Sequence, residues 1–216
     1  MSKKYDAILF DFDFTLADAS EGIEHCLRYG FEQMNLEFIS PGMEKYTEGI
    51  TLTELISRHS GNKDSKILEG IYSNYLVVAK EQMTNMTRFF DDTHDALLHL
   101  IKNDYRLGIV SNKYRFRIEE FLSKHNYLDL FEVIVGTEDV KEMKPAPEGL
   151  LLAMKRMNSK KENTLFIGDN PIDAMTAKNA GTDFIGISRY GHKHFENSDS
   201  DLIALIKTLD ELKAHL

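Results

Sequence analysis

The stretch Ala7-Ile8-Leu9-Phe10-Asp11-Phe12-Asp13-Phe14-Thr15 constrains the chain more than any other. Its opening apolar run has no helical period and reads as a strand buried on both faces, as inside a parallel sheet. Such a run cannot continue into carboxylates unless they emerge from the core. Side chains alternate along an extended backbone, so Asp11 and Asp13 project to one side and Phe12 to the other. Two carboxylates that close stay ionised together only with a cation between them, and hard oxygen ligands at this spacing suit magnesium. A helix-capping Asp beside a solvated one is the alternative that the stretch by itself leaves open. A calcium loop of the EF-hand type is excluded, because that loop needs Gly at its sixth position and Glu at its twelfth, where Leu16 and Gly22 stand.

A chain of 216 residues with 42% hydrophobic content can bury a full core, either as one large domain or as one with a smaller domain inserted. A formal net charge of −9 argues against a nucleic-acid partner, since backbone phosphates demand clustered Lys and Arg. The N-terminal residues run into a strand too short for a signal peptide, and no apolar stretch approaches membrane length. The expectation is a soluble cytoplasmic protein without a membrane partner, a monomer or a weak homodimer. Cys26 is the only cysteine, so an intrachain disulfide and a Cys-based zinc site are excluded, and it reads as a small buried hydrophobe.

After Thr15 the pattern becomes helical as far as about Asn85, with Ile23, Leu27, Gly30, Phe31 and Met34, then Ile67, Ile71, Tyr75 and Val78. The next clear strand is Tyr105 to Val110, so about 90 residues separate two strands where a parallel crossover needs only a dozen or more. The excess predicts an inserted helical cap over 17–87, with a core formed by 1–16 and 88–216. The core pattern restarts with Asp92 or Thr93 as N-cap and Ala96, Leu97, Leu100 and Ile101 as a buried stripe.

Strands and helices then alternate with short links, the mark of an α/β, doubly wound, Rossmann-like parallel sheet. Phe131 to Val135, Thr164 to Ile167 and Phe184 to Ile187 read as the third, fourth and fifth strands, and Asp201 to His215 as a closing helix. In an open parallel sheet, ligands bind beyond the carboxyl ends of the strands. The first strand delivers Asp11 and Asp13, the second Ser111 and Asn112, and the fourth Asp169 with Asp173 a turn later. Lys144 follows the third, and Pro145 holds it extended toward the same mouth. Singly these read as caps or solvated charges. Together they supply carboxylates for a cation, a fixed positive charge and a hydroxyl donor, a set that fits phosphoryl transfer.

In Asp11-Phe12-Asp13-Phe14-Thr15, Ile109-Val110-Ser111-Asn112-Lys113, Lys144-Pro145-Ala146-Pro147-Glu148 and Gly168-Asp169-Asn170-Pro171-Ile172-Asp173, the sequence resembles the haloacid dehalogenase superfamily of phosphohydrolases. It is most similar to the phosphoglycolate phosphatase and β-phosphoglucomutase branch with a helical cap. The resemblance implies that Asp11 is the nucleophile, becoming an aspartyl phosphate, and that Asp13 is the acid and base. It further implies that Ser111 and Lys144 hold the transferring group. Magnesium would be held by Asp11, the carbonyl of Asp13, Asp169 and Asp173. Thr15, Asn112 and, in a cap loop at Tyr46 to Thr51, Gly49 would face a small phosphorylated metabolite, with the cap closing as a lid. Phe14 departs from the Gly that many relatives carry there.

Some readings stay open. Gly49 fits a plain turn equally well. Lys113, Arg115 and Arg117 form a basic cluster that either draws an anion or decorates a helix, while His192 and His194 read as surface loop residues. A phosphomutase would use the same aspartyl phosphate, and a non-catalytic phospho-accepting regulatory protein would share much of the set. Dehalogenation is disfavoured, because it needs no acid at Asp13. A receiver module is disfavoured by the placement of the Asp pair at the first strand and by the long insertion after it.

Overall fold

The computed structural model describes residues 4–40, 52–190, 195 and 202–216. The chain divides into two compact units, one of Met1–Ala17 with Phe89–Leu216 and the other of Asp18–Arg88. In chain order the elements are β1 (Ala7–Phe10), β2 (Ala17–Asp18), α1 (Ser20–Gln33), α2 (Leu52–Ser60), α3 (Ser65–Gln82), β3 (Arg88–Phe89), α4 (Thr93–Lys102), β4 (Arg106–Val110), α5 (Arg115–Lys124), β5 (Val133–Val135), α6 (Glu148–Met157), β6 (Thr164–Gly168), α7 (Pro171–Ala180), β7 (Asp183–Ile187) and β8 (Ala204–Ile206).

In the larger unit six parallel strands lie in the order β5-β4-β1-β6-β7-β8. Alternation along β1 feeds two separate cores. Ile8 and Phe10 join Leu97 and Leu100 of α4 and Ile118 and Phe121 of α5 on one face. Ala7 and Leu9 join Leu150, Ala153 and Met154 of α6 and Ala174 and Ala177 of α7 on the other. A strand covered on both faces has no use for a polar side chain, which is why β1 reads as continuous apolar sequence. At about 25 cal/mol per Å², each such Ile, Leu or Phe contributes roughly 1.5–3 kcal/mol.

The topology turns at β1: the chain goes to β4 and β5 on one side, then returns to β6, β7 and β8 on the other. Register aligns the exits, with Phe10 opposite both Ile109 and Ile167. The Asp11 N–H donates to the Ile167 carbonyl (2.8 Å) and the Ser111 N–H to the Val135 carbonyl (3.0 Å), so the ladder continues one residue into each functional loop. A crevice outside the carboxyl ends of strands at such a reversal is the ordinary ligand position in doubly wound sheets.

Local signals explain the elements that carry the site. The Asn170 side chain accepts from the Ile172 N–H, Pro171 supplies a preset φ, and α7 ends at Gly181 in the left-handed conformation (φ 74°). One expectation is corrected here. Residues 202–216 do not form a helix: β8 adds a sixth strand beside β7, pairing Ile185 with Ala204, and Leu209–Ala214 forms a 3₁₀ turn. Asp92, expected as an N-cap, stands at the cap position of α4 but gives no side-chain hydrogen bond to the helix.

The unit of Asp18–Arg88 has its own core, built by Leu27 and Phe31 of α1, Leu55 and Ile56 of α2, and Ile71, Tyr75 and Val78 of α3. Cys26 is a buried thiol within it, in no disulfide. Asp64 caps α3 by accepting from the Lys66 N–H. Gly49 and the rest of the expected cap loop, like His192 and His194, lie outside the described residues. Among the described residues no helix is long and apolar enough to cross a membrane.

Candidate active site

Four strand ends of the larger unit bring their polar residues together. One carboxylate oxygen from each of Asp11, Asp169 and Asp173 lies within 4.8 Å of the others, and all three residues are buried. Lys144 Nζ stands 2.8 Å from Asp11 Oδ1 and 2.6 Å from Asp173 Oδ1, its side chain only 6% exposed. Its approach is fixed through the backbone: the Lys144 N–H donates to Asn112 Oδ1 (2.9 Å) and the Asn112 amide donates to the Lys144 carbonyl (3.3 Å). Asn112, expected against substrate, thus has both ends of its amide engaged with the main chain of Lys144.

Gly168 is required by geometry. A Cβ there would stand 2.4 Å from Asp173 Oδ2, so only a bare backbone lets that carboxylate sit against the end of β6. Asp173 Oδ2 also accepts from the Asn170 N–H (3.1 Å), which makes Asp173 both a capping group and a partner of Lys144. Thr15 is fully buried, and its hydroxyl donates to Asp169 Oδ1 (3.2 Å). Ser111 is buried, and its Oγ accepts from the Lys113 N–H (3.3 Å), leaving the hydroxyl hydrogen to be donated. Asp13 faces Lys113, whose Nζ is 2.8 and 3.1 Å from its two oxygens.

The electrostatics are those of an over-negative buried cluster. Burial, followed by the charges of Asp173 and Asp11, pushes the Asp169 carboxyl well above the usual range. Burial pushes Asp173 up to about 6 against the pull of Lys144. Asp13 is also raised, by enclosure first and by Asp11, with Lys113 opposing. Burial alone would discharge Lys144, but Asp11 and Asp173 hold it above the ordinary lysine value. With all four ionised, the carboxylates would exceed the two ammoniums of Lys113 and Lys144 by two charges. Asp11 Oδ1 is buried with the Lys144 ammonium beside it at 2.8 Å. An all-oxygen set with that deficit fits a divalent cation.

One participant was not singled out from sequence. Arg189, just past β7, donates to the Thr15 carbonyl from Nε (3.2 Å) and Nη2 (2.6 Å) and from Nη1 to both oxygens of Asp92 (2.8 and 2.6 Å). Applying the strand-end rule to the fifth strand as well as the first four finds it. Phe14 takes a left-handed backbone (φ 60°), and its ring meets Tyr190 edge-on at 6.4 Å. Such a φ is one that Gly adopts without strain.

A family profile described as haloacid dehalogenase-like hydrolase matches residues 8–187. Curated relatives include the pyrophosphatase PpaX of Bacillus velezensis, 31% identical over 188 residues, covering 86% of this chain and 84% of its own. PpaX of Bacillus mycoides is 29% identical over 190 residues, with coverage of 86% and 84%. Among solved structures, a Bacteroides fragilis protein described as a haloacid dehalogenase-like hydrolase superposes with a TM-score of 0.86 at 42% identity, covering 97% of this chain and 100% of its own. A Haemophilus somnus protein described as a predicted phosphoglycolate phosphatase shares the fold, with a TM-score of 0.85 at 19% identity over 99% of each chain. With the profile spanning β1 to β7 and all four strand-end loops inside it, the chain belongs to the haloacid dehalogenase-like hydrolases.

Proposed function

We propose that this hydrolase is a magnesium-dependent phosphatase that cleaves a small phosphorylated metabolite through an aspartyl phosphate on Asp11. The observation that carries the reading is Lys144 Nζ between Asp11 (2.8 Å) and Asp173 (2.6 Å), beside three clustered carboxylates. A lysine buried against two acids places its positive charge beside Asp11 and offers its remaining donor to an incoming phosphoryl oxygen.

Asp11, Asp169 and Asp173, with the carbonyl of Asp13, would hold the cation. When bound, it supplies charge neutralisation that lets an anionic substrate approach a carboxylate. An Asp11 oxygen attacks phosphorus as the bond to the leaving oxygen breaks, and Asp13, whose raised pKa suits an acid, gives that oxygen a proton. The ionised Asp13 then takes a proton from the water that cleaves the Asp11 acyl phosphate, returning the starting state. Ser111 donates its hydroxyl to the transferring group, and Lys144 offsets its charge. Thr15 keeps Asp169 in place.

PpaX relatives make inorganic pyrophosphate a first compound to assay, beside phosphoglycolate and sugar phosphates. The test is phosphate release with a divalent ion present. Asp11→Asn is expected to lower it at least about a thousandfold. Undiminished turnover in that variant removes Asp11 as nucleophile.

A further inference from the structure

Of the three basic residues that follow Ser111, two are spent locally. Arg115 pairs with Asp139 (3.0 Å) and Glu119 (3.1 Å), and Arg117 with Glu120 (3.5 Å). Lys113 alone turns to the site. Its side chain is 15% exposed, its Nζ spans both oxygens of Asp13, and the Phe12 ring lies 5.5 Å from the ammonium.

The two lysines are arranged differently. Lys144 serves the carboxylates around the reacting phosphorus, whereas Lys113 stands at Asp13, the group assigned to the leaving oxygen. A charge beyond Asp13 is therefore beside the leaving group and not beside the transferred one. An ammonium has three donors, and the Asp13 oxygens take two, so one N–H remains for a further acceptor. A neutral alcohol gives that donor little to bind. A leaving group with its own negative charge gives it a charge-assisted partner and also relieves that charge as the bond breaks.

Resting on the phosphatase reading above, we propose that Lys113 is a specificity-determining residue that selects substrates whose leaving group is itself an anion. These are phosphoanhydrides and phosphate esters of small hydroxy acids, with inorganic pyrophosphate the smallest. For pyrophosphate the bridging P–O bond breaks as the Asp11–phosphorus bond forms. The bridging oxygen keeps the electron pair, takes the proton of Asp13 and departs as phosphate against Lys113. One water then cleaves the acyl phosphate, so one pyrophosphate gives two phosphates.

The experiment compares kcat/KM for pyrophosphate, phosphoglycolate and 2-hydroxyethyl phosphate, the last with an uncharged leaving group, in the wild type, Lys113→Gln and Lys113→Arg. The expected result is a wild-type preference for the two anionic leaving groups. In Lys113→Gln the preference falls about tenfold, the scale of one hydrogen bond to a charged group, and Lys113→Arg retains it. Equal losses on all three substrates would mean that Lys113 only holds Asp13, and would overturn the proposal. A wild type that releases phosphate from none of them brings down the phosphatase reading itself, which is distinct from an active enzyme whose preference ignores residue 113.

Discussion

Arg189 clasps the main-chain carbonyl of Thr15 with two of its nitrogens, at 3.2 and 2.6 Å, while a third grips Asp92. The Arg189 side chain is 5% exposed, and its guanidinium lies 4.2 Å from the centre of the Phe90 ring. Asp92 also accepts from the Leu209 N–H at 2.7 Å. One buried ion pair thus joins the loop after β1, the start of α4 and the chain beyond β8.

Breaking that pair from one side strands a charge. Arg189→Met is expected to cost about 3–5 kcal/mol, because inside the protein Asp92 loses its charge partner and the Thr15 carbonyl its guanidinium donors. Adding Asp92→Leu should recover part of the loss. Urea unfolding of the two single variants and the double one measures the coupling, and simple additivity would show that the groups act independently.

Phe14 sets two opposed effects at one position. Its left-handed backbone costs roughly 1–2 kcal/mol, and burying its ring contributes roughly 1.5–3 kcal/mol. Phe14→Ala keeps the strain and loses the ring, whereas Phe14→Gly loses the ring but relieves the strain. The glycine variant is therefore expected to be the more stable of the two by about 1 kcal/mol. Thermal melts of both variants decide it, and an alanine variant at least as stable would contradict the strain argument.

Asp11, Asp169 and Asp173 repel one another, so a divalent cation that binds among them should stabilise the fold by mass action. A rise in Tm on adding magnesium, reversed by a chelator, is expected for the wild type. Asp169→Asn should melt at least as high without metal and gain little from it. A magnesium response of full size in that variant would remove Asp169 from the ligand set.

Acid should act through Asp139. Enclosure pushes its carboxyl up, but the Gly136 N–H (3.0 Å) and the guanidiniums of Arg115 (3.0 Å) and Arg156 (3.3 Å) outweigh that and hold it below the usual range. The folded state therefore binds this proton less readily than the unfolded one. The stabilisation is complete above the unfolded value of about 3.9 and disappears as pH falls through the folded value. Discounting for exposed guanidiniums, Asp139→Asn should lose about 1–2 kcal/mol at neutral pH, the gap closing in acid. Denaturant titrations from pH 7 to 3 follow it, and a gap constant over that range would assign the loss to packing.

The strand-end arrangement was legible because burial on two faces writes each central strand as an apolar block, and the polar residue after each block is the one that emerges. Asp11, Ser111 and Asp169 follow that logic, whereas Lys144 lies further past β5 and was legible through Pro145. The C-terminal segment misled for a physical reason: Leu202, Ile203, Leu205, Ile206, Leu209 and Leu212 repeat at helical spacing, yet hydrogen bonding to β7 draws Ala204–Ile206 into the sheet. Three residues at a sheet edge carry too little alternation to outvote that period. Asp92 stands at the N-cap position as expected, but its carboxylate is claimed by a buried guanidinium distant in sequence and not by the helix, which a cap pattern does not reveal. Spacing alone likewise could not separate Lys113 from Arg115 and Arg117, since the partner that sets Lys113 apart, Asp13, comes from another segment.

The outermost strands, β5 and β8, are each three residues long. A rim that short offers a neighbouring molecule few open amide and carbonyl groups, so sheet-to-sheet polymerisation has little template to grow from. Ile203 beside β8 and Leu205 within it are exposed, and lengthening that strand beyond Ile206 would extend this apolar rim and favour aggregation.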